Sequence, residues 1–69
     1  DESSMRAHLG LAEALFDSGD RSGALGHYKK TCELGARKSQ EIHVRAAETR
    51  MKGDEALSLQ YRGVAEGCL

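Results

Sequence analysis

The sequence contains no proline, and its aromatic residues are limited to Phe16, Tyr28 and Tyr61. Alanine, leucine, glutamate, lysine and arginine are abundant, and these residues favour helices. A chain of 69 residues buries only about 60% of its unfolded surface, so its stability must come from efficient helix packing or from neighbouring segments. The composition therefore predicts an all-helical fold with a modest core.

Neither sign of charge dominates, because ten Lys and Arg residues are interleaved with eleven Asp and Glu residues. A phosphate backbone is bound by a basic stripe, which this sequence lacks. No apolar run approaches the roughly 20 residues needed to cross a bilayer, and no signal peptide is recognisable. We therefore expect no nucleic-acid partner and no membrane insertion. Because the chain starts at Asp1 without a Met, we interpret it as a segment of a longer intracellular protein.

The two cysteines, Cys32 and Cys68, are far apart in the sequence, and neither belongs to a Cys-X-X-Cys pair. Both lie on predicted apolar helix faces. We therefore expect small buried side chains with free thiols, in a reducing, cytoplasmic compartment, rather than a disulfide.

Apolar periodicity and turn residues predict four helices. They span about residues 5–17, 21–34, 39–51 and 55–68. Ser3 or Ser4 is predicted to cap the first helix, and Ser39 the third. The short connections between consecutive helices predict antiparallel pairs.

Gly-Asp pairs mark two of the predicted helix breaks. Gly19 can adopt the left-handed conformation that ends a helix, and Asp20 can accept the amide hydrogens that open the next one. Gly53-Asp54 repeats this break, and Gly35 is predicted to end the second helix. Two further glycines, Gly23 and Gly26, lie inside that helix, and we expect them where a neighbouring helix approaches closely.

The two Gly-Asp breaks are 34 residues apart, which is the period of one tetratricopeptide (TPR) repeat. The first unit resembles the TPR family at a set of structural positions: Leu11, Ala12, Leu15, Gly19, Ala24, Tyr28, Thr31 and Leu34. In the second unit, Tyr61 is predicted to have the same structural role. The resemblance covers about residues 5–38. It implies one domain over residues 1–69, in which hairpins 5–34 and 39–68 stack as a fragment of an α-solenoid.

Small residues explain how such a hairpin packs. Ala12 and Ala24 are expected where the helices cross most closely, with Leu11, Leu15 and Tyr28 filling the space beside them.

The second unit departs from the family pattern at Arg45, Thr49 and Arg62, where apolar or aromatic residues are expected. A shift of one residue aligns Tyr61 with Tyr28. His8 and Ala36 also depart from the pattern, replacing a large residue and a closing proline.

No pattern typical of catalysis is present. The histidines, His8, His27 and His43, are scattered, and His27 and Cys32 on one helix would point about 140° apart. The glycines lack the strand context and the Lys-Ser/Thr pair of a phosphate-binding loop. We therefore predict no enzymatic activity, no cofactor and no metal site.

The TPR resemblance implies a role in protein–protein interaction. In that family the first helices of successive hairpins line a groove that holds an extended peptide or a partner helix. The corresponding residues here are Arg6, Leu9, Glu13, Phe16, His43, Ala47, Arg50 and Met51. Core packing is an equally strong interpretation for Leu9, Phe16 and Met51. The Lys/Asn clamp of the family's best-known subclass is absent, since Leu9 and Glu13 occupy its positions. Basic side chains beside an apolar floor favour an amphipathic or acidic partner.

Two alternatives stay open. Two hairpins cannot bury both of their end faces, so the chain could serve a structural role by dimerising or by forming part of a longer solenoid. Alternatively, Val44-Arg45-Ala46-Ala47-Glu48 resembles a stretch of three-helix microtubule-interacting-and-trafficking domains. The fourth predicted helix argues against that resemblance.

Overall fold

The computed structural model describes residues 2–68, which form four α-helices and no strand. Helix α1 spans Glu2–Asp17, α2 spans Arg21–Glu33, α3 spans Ser39–Met51 and α4 spans Glu55–Glu66. The predicted all-α fold is confirmed. The fourth helix is present, so the three-helix alternative is not the structure of this chain.

The chain divides into two compact units, here termed unit 1 (Asp1–Ala36) and unit 2 (Arg37–Leu69). Helix α2 packs against α1 in unit 1, and α4 packs against α3 in unit 2. Three residues connect the helices of each unit, so the two helices of a pair run antiparallel. Each unit is therefore a helical hairpin.

Glycines in the left-handed conformation end three of the helices, as predicted. The φ angles are 98° at Gly19, 106° at Gly35 and 93° at Gly53. In the connection between α1 and α2, the Gly19 amide donates to the Phe16 carbonyl at 3.1 Å and the Asp20 amide donates to the Leu15 carbonyl at 2.9 Å. This pair of bonds satisfies carbonyls that the helix end would otherwise leave without donors.

Aspartates cap the second helix of each unit. The Gly23 amide donates to Asp20 Oδ1 at 2.9 Å, and the Leu57 amide donates to Asp54 Oδ1 at 3.0 Å. The prediction for Asp20 is confirmed, and Asp54 repeats it in unit 2. Each Gly-Asp pair thus ends one helix and starts the next within three residues, which forces the chain to reverse.

The core of unit 1 is built around small residues at the helix crossing. Ala12 and Ala24 are fully buried, and so is Tyr28, as predicted. Leu11 was expected to fill the space beside the crossing, but its side chain is 50% exposed, and Phe16, at 6% exposure, is buried instead. Leu15 and Leu34 are half-buried.

The core of unit 2 contains several polar side chains. It consists of Ile42, Ala46, Thr49, Ser58, Tyr61, Ala65 and Cys68. The Thr49 hydroxyl donates to the Arg45 carbonyl at 2.8 Å, and in unit 1 the buried Thr31 hydroxyl donates to the His27 carbonyl at 2.7 Å. Because each hydroxyl is satisfied by its own helix, a threonine can occupy an apolar position at little cost.

Other local predictions were wrong. Ser3 and Ser4 lie inside α1, which begins at Glu2, and Ser39 is the first residue of α3, whose N-cap Lys38 makes no side-chain bond. Apart from the backbone of its own helix, no heavy atom lies within 4 Å of the position that a Cβ on Gly26 would occupy, so no neighbouring helix approaches it there. At Gly23 the same position lies 2.5 Å from Asp20 Oδ2, so the group that approaches is the cap.

Both cysteines are disulfide-bonded, which corrects the prediction of free thiols. Cys68 is buried and Cys32 is half-buried. Disulfides persist in oxidising environments and are rare in the cytosol. The bond is therefore at odds with the reducing compartment expected from cysteine spacing, and spacing along the chain did not predict the state of these sulfurs.

None of the helices within residues 2–68 is both long and apolar enough to span a membrane.

Candidate functional site

An open cleft of about 400 Å³ lies between α3 and α4 of unit 2. Four residues of each helix line it: His43, Ala46, Ala47, Arg50, Glu55, Ser58, Leu59 and Arg62. The helical period produces this surface. His43 and Arg50 are seven residues apart on α3, and Glu55 and Arg62 are seven apart on α4, so each pair lies on one face of its helix.

The floor of the cleft is formed by two small, buried residues, one apolar and one polar. Ala46 and Ser58 are 8% and 6% exposed, and the Ser58 hydroxyl donates to the Glu55 carbonyl at 2.9 Å, within its own helix. Leu59, at 58% exposure, gives one wall an apolar side chain. Small buried residues below a wider rim leave room for side chains of another molecule.

The rim of the cleft carries more positive than negative charge. Arg50 and Arg62 contribute two guanidinium groups, whereas Glu55 contributes one carboxylate. Arg62 Nε lies 3.7 Å from Glu66 Oε2, but both side chains are more than 60% exposed, and such a pair is worth little in water. Within residues 2–68 the Arg50 guanidinium makes no ion pair. It lies in the last turn of α3, where the helix dipole favours a cation.

The structure brings three of the four predicted groove residues of α3 into this cleft, namely His43, Ala47 and Arg50. Met51 does not line it. Its side chain is 85% exposed, so Met51 is not a core residue. Val44, seven residues earlier on the same face of α3, is 53% exposed.

The predicted groove residues of α1 differ in exposure. Arg6 is exposed, and its guanidinium lies 2.9 Å from the Glu2 carboxylate. Leu9 and Glu13 are half-buried. Phe16 belongs to the core of unit 1, with the Arg21 guanidinium 5.6 Å from its ring centre. Phe16 is therefore a core residue and not a groove residue, and Arg6 is the most accessible of the four predicted groove residues of α1.

Two histidines that are far apart in the sequence, His8 and His27, are in contact in unit 1. His8 Nδ1 and His27 Nδ1 are 2.9 Å apart, and both side chains are half-buried. The ring centres are 5.2 Å apart with an interplanar angle of 29°. The distance between the ring centres equals the 2.9 Å between the two Nδ1 atoms plus the radius of each ring. Both Nδ1 atoms therefore lie between the ring centres, and the rings meet edge to edge rather than face to face.

The sequence held a signal for this pair. If an antiparallel hairpin places Ala12 opposite Ala24, residue 8 lies one helical turn further from the connection on α1. Residues 27 and 28 lie one turn further on α2. The predicted crossing therefore places His8 opposite His27 or Tyr28.

Within residues 2–68 no group of three or more His, Cys, Asp or Glu side chains is arranged to hold a metal ion. No protein-family model, curated protein or solved structure matches the chain.

Proposed function

We propose that this chain is a protein-interaction module, and that the cleft between α3 and α4 binds an acidic segment of a partner protein. The observation that carries the proposal is the combination of two guanidinium groups, at Arg50 and Arg62, with a floor of small side chains. Guanidinium groups bind carboxylates with two parallel hydrogen bonds, which gives direction as well as affinity.

Charge complementarity selects the partner. Arg50 makes no ion pair within residues 2–68, and the exposed Arg62–Glu66 pair at 3.7 Å is easily exchanged for another carboxylate. A helix with acidic residues two turns apart would present carboxylates to both guanidiniums, while a short apolar side chain between them contacts Ala47 and Leu59. Recognition of this kind follows the helix-in-groove mode of binding.

The experiment is an NMR titration of the full chain with a helical peptide of about 15 residues, carrying Glu at i and i+7 and Leu at i+4. A second peptide has Gln in place of each Glu. We expect amide shift changes at the residues that line the cleft, and weaker binding of the Gln peptide. The reversal Arg50→Glu should reduce the affinity for the Glu peptide by at least about tenfold, because a repulsive charge replaces an attractive one.

Arg37→Glu is the matched control, since Arg37 is exposed, precedes α3 and does not line the cleft. This variant should keep most of the affinity. Equal binding of the Glu and Gln peptides, shift changes confined to unit 1, or an equal loss in the Arg37 variant would each contradict the proposal.

The resemblance to TPR hairpins supports the same class of function, because that family binds peptides and partner helices without catalysis. The cleft differs from the family's groove, which is lined by the first helices of successive hairpins. Here both helices of one hairpin contribute. A partner bound at Arg50 and Arg62 favours the cleft.

Self-association is the second candidate, and the exposed apolar side chains of Val44 and Met51 favour it. A second copy of the chain would remove these side chains from water. Light scattering distinguishes the candidates, since the monomer mass is 7.5 kDa. A mass twice that value, lost in the variant Val44→Ser/Met51→Ser, would support the dimer. A monomer at all concentrations would exclude it.

A further inference from the structure

The contact between His8 and His27 requires a proton. Two nitrogen lone pairs aimed at each other over 2.9 Å would repel, so one Nδ1 must carry hydrogen and donate to the other. In a pair of neutral imidazoles, one ring is then the Nδ1–H tautomer and the other the Nε2–H tautomer. The nitrogens point at each other rather than converge on a third point, so the arrangement suits a shared proton and not a chelated metal.

Adding protons changes this bond in two distinct steps. The first extra proton turns one ring into an imidazolium, which still donates Nδ1–H to its neutral neighbour, and the hydrogen bond becomes charge-assisted. The second extra proton leaves both Nδ1 atoms carrying hydrogen. No acceptor remains, and two positive rings face each other across the contact.

We propose that His8 and His27 form an acid-sensitive connection between α1 and α2. It holds the hairpin of unit 1 when the pair carries no extra proton or one, and it opens when both imidazoles are charged. Histidine is the side chain whose charge ordinarily changes between about pH 5 and 8.

The charged surroundings of the pair are sparse. The residues one turn from His8 on α1 are uncharged: Ser4, Met5, Leu11 and Ala12. On α2, Lys30 is the one charged residue of the described part of the chain that lies one turn from His27. Its ammonium is 4.0 Å from the Glu33 carboxylate. Asp20, two turns before His27, accepts the Gly23 amide. Asp1, two turns before His8, lies outside the described residues. No carboxylate one turn from either histidine is therefore placed to neutralise a doubly charged pair.

The sign of the effect on stability follows from proton counting. In acid the unfolded chain takes up a proton on each histidine freely, whereas the folded pair must break its bond to accept the second. Over this second step the unfolded state binds more protons than the folded state, so stability falls as the pH is lowered through it and returns as the pH is raised. The first proton strengthens the bond and therefore does not lower stability.

NMR of the uniformly ¹⁵N-labelled full chain tests the proposal directly. At pH 7.5 we expect one protonated and one unprotonated Nδ1 in the pair, with a scalar coupling between them through the hydrogen bond. The coupling should survive the first protonation and vanish on the second. Two unprotonated Nδ1 atoms, or the absence of coupling at every pH, would overturn the proposal, and this measurement needs no substitution.

Urea unfolding at pH 7.5 and at the lower pH at which the coupling vanishes provides the second readout. The unfolding equilibrium constant of the wild type should rise on acidification by about two- to tenfold more than that of His27→Gln, which corresponds to one hydrogen bond. His43→Gln is the matched control, because His43 is exposed and belongs to unit 2. It should behave like the wild type. An equal change in the two variants would contradict the proposal, and neither result depends on peptide binding.

Discussion

Gly26 offers a sharp test of how the helices are stabilised. It is the sixth of the 13 residues of α2, its surface is exposed, and a Cβ built on it would have no heavy atom within 4 Å other than those of the backbone of its own helix. Glycine in a helix interior costs about 0.5–1 kcal/mol relative to alanine, because it loses more backbone freedom on folding. Gly26→Ala therefore adds a methyl group into open space and removes this cost.

The expected gain is about 0.5–1 kcal/mol in the free energy of unfolding. For a domain of this size each kcal/mol raises Tm by about 4–8 °C, so Tm should rise by about 2–8 °C. Urea unfolding followed by circular dichroism measures the gain as a higher midpoint at an unchanged m-value.

Gly19→Ala is the matched control, since it makes the same chemical change seven residues earlier. Gly19 has a φ of 98°, where a Cβ is unfavourable, and we expect a loss of about 1–2 kcal/mol. The reasoning would be refuted if Gly26→Ala destabilised the chain, or if both variants shifted stability in the same direction.

Three further predictions follow from capping, burial and the disulfide. Asp54→Ala should cost about 0.5–2 kcal/mol in urea unfolding, because the Leu57 amide loses its acceptor; an unchanged midpoint would contradict the capping role. Ile42→Ala should cost about 2–5 kcal/mol, since Ile42 is fully buried, whereas Val44→Ala at a half-exposed site should cost less than about 1 kcal/mol; equal losses would mean that the core is assigned incorrectly. Thiol titration of the denatured, unreduced protein should find no free thiol, since both cysteines are disulfide-bonded, and any free thiol would argue against the bond.

Local chemistry made the turns of this protein predictable. The pairs Gly19-Asp20 and Gly53-Asp54 end one helix and start the next through short-range effects. A positive φ and an N-cap bond involve only backbone groups within about four residues. Ala12 and Ala24 were predictable from the resemblance to the TPR family, in which small residues stand where the two helices of a hairpin cross most closely.

The choice of core face on α1 was not predictable from periodicity. Its apolar residues cover a broad arc, which includes Leu11 and Phe16. Nothing in α1 alone decides which of them turns inward, because either choice gives an amphipathic helix. Packing against α2 buries Phe16 and leaves Leu11 50% exposed.

The candidate cleft was likewise only partly predictable from the sequence. Helical spacing alone places His43, Ala47 and Arg50 on one face of α3, and this much the sequence determined. Only the packing of α4 against α3 placed Leu59 and Arg62 opposite them.

The four helices and the turns at Gly19-Asp20 and Gly53-Asp54 were thus determined by the sequence, because these features depend on bonds between near neighbours in the chain. The cleft and the contact between His8 and His27, 19 residues apart, were decided by tertiary structure, because each needs two helices at a particular rotation about their own axes.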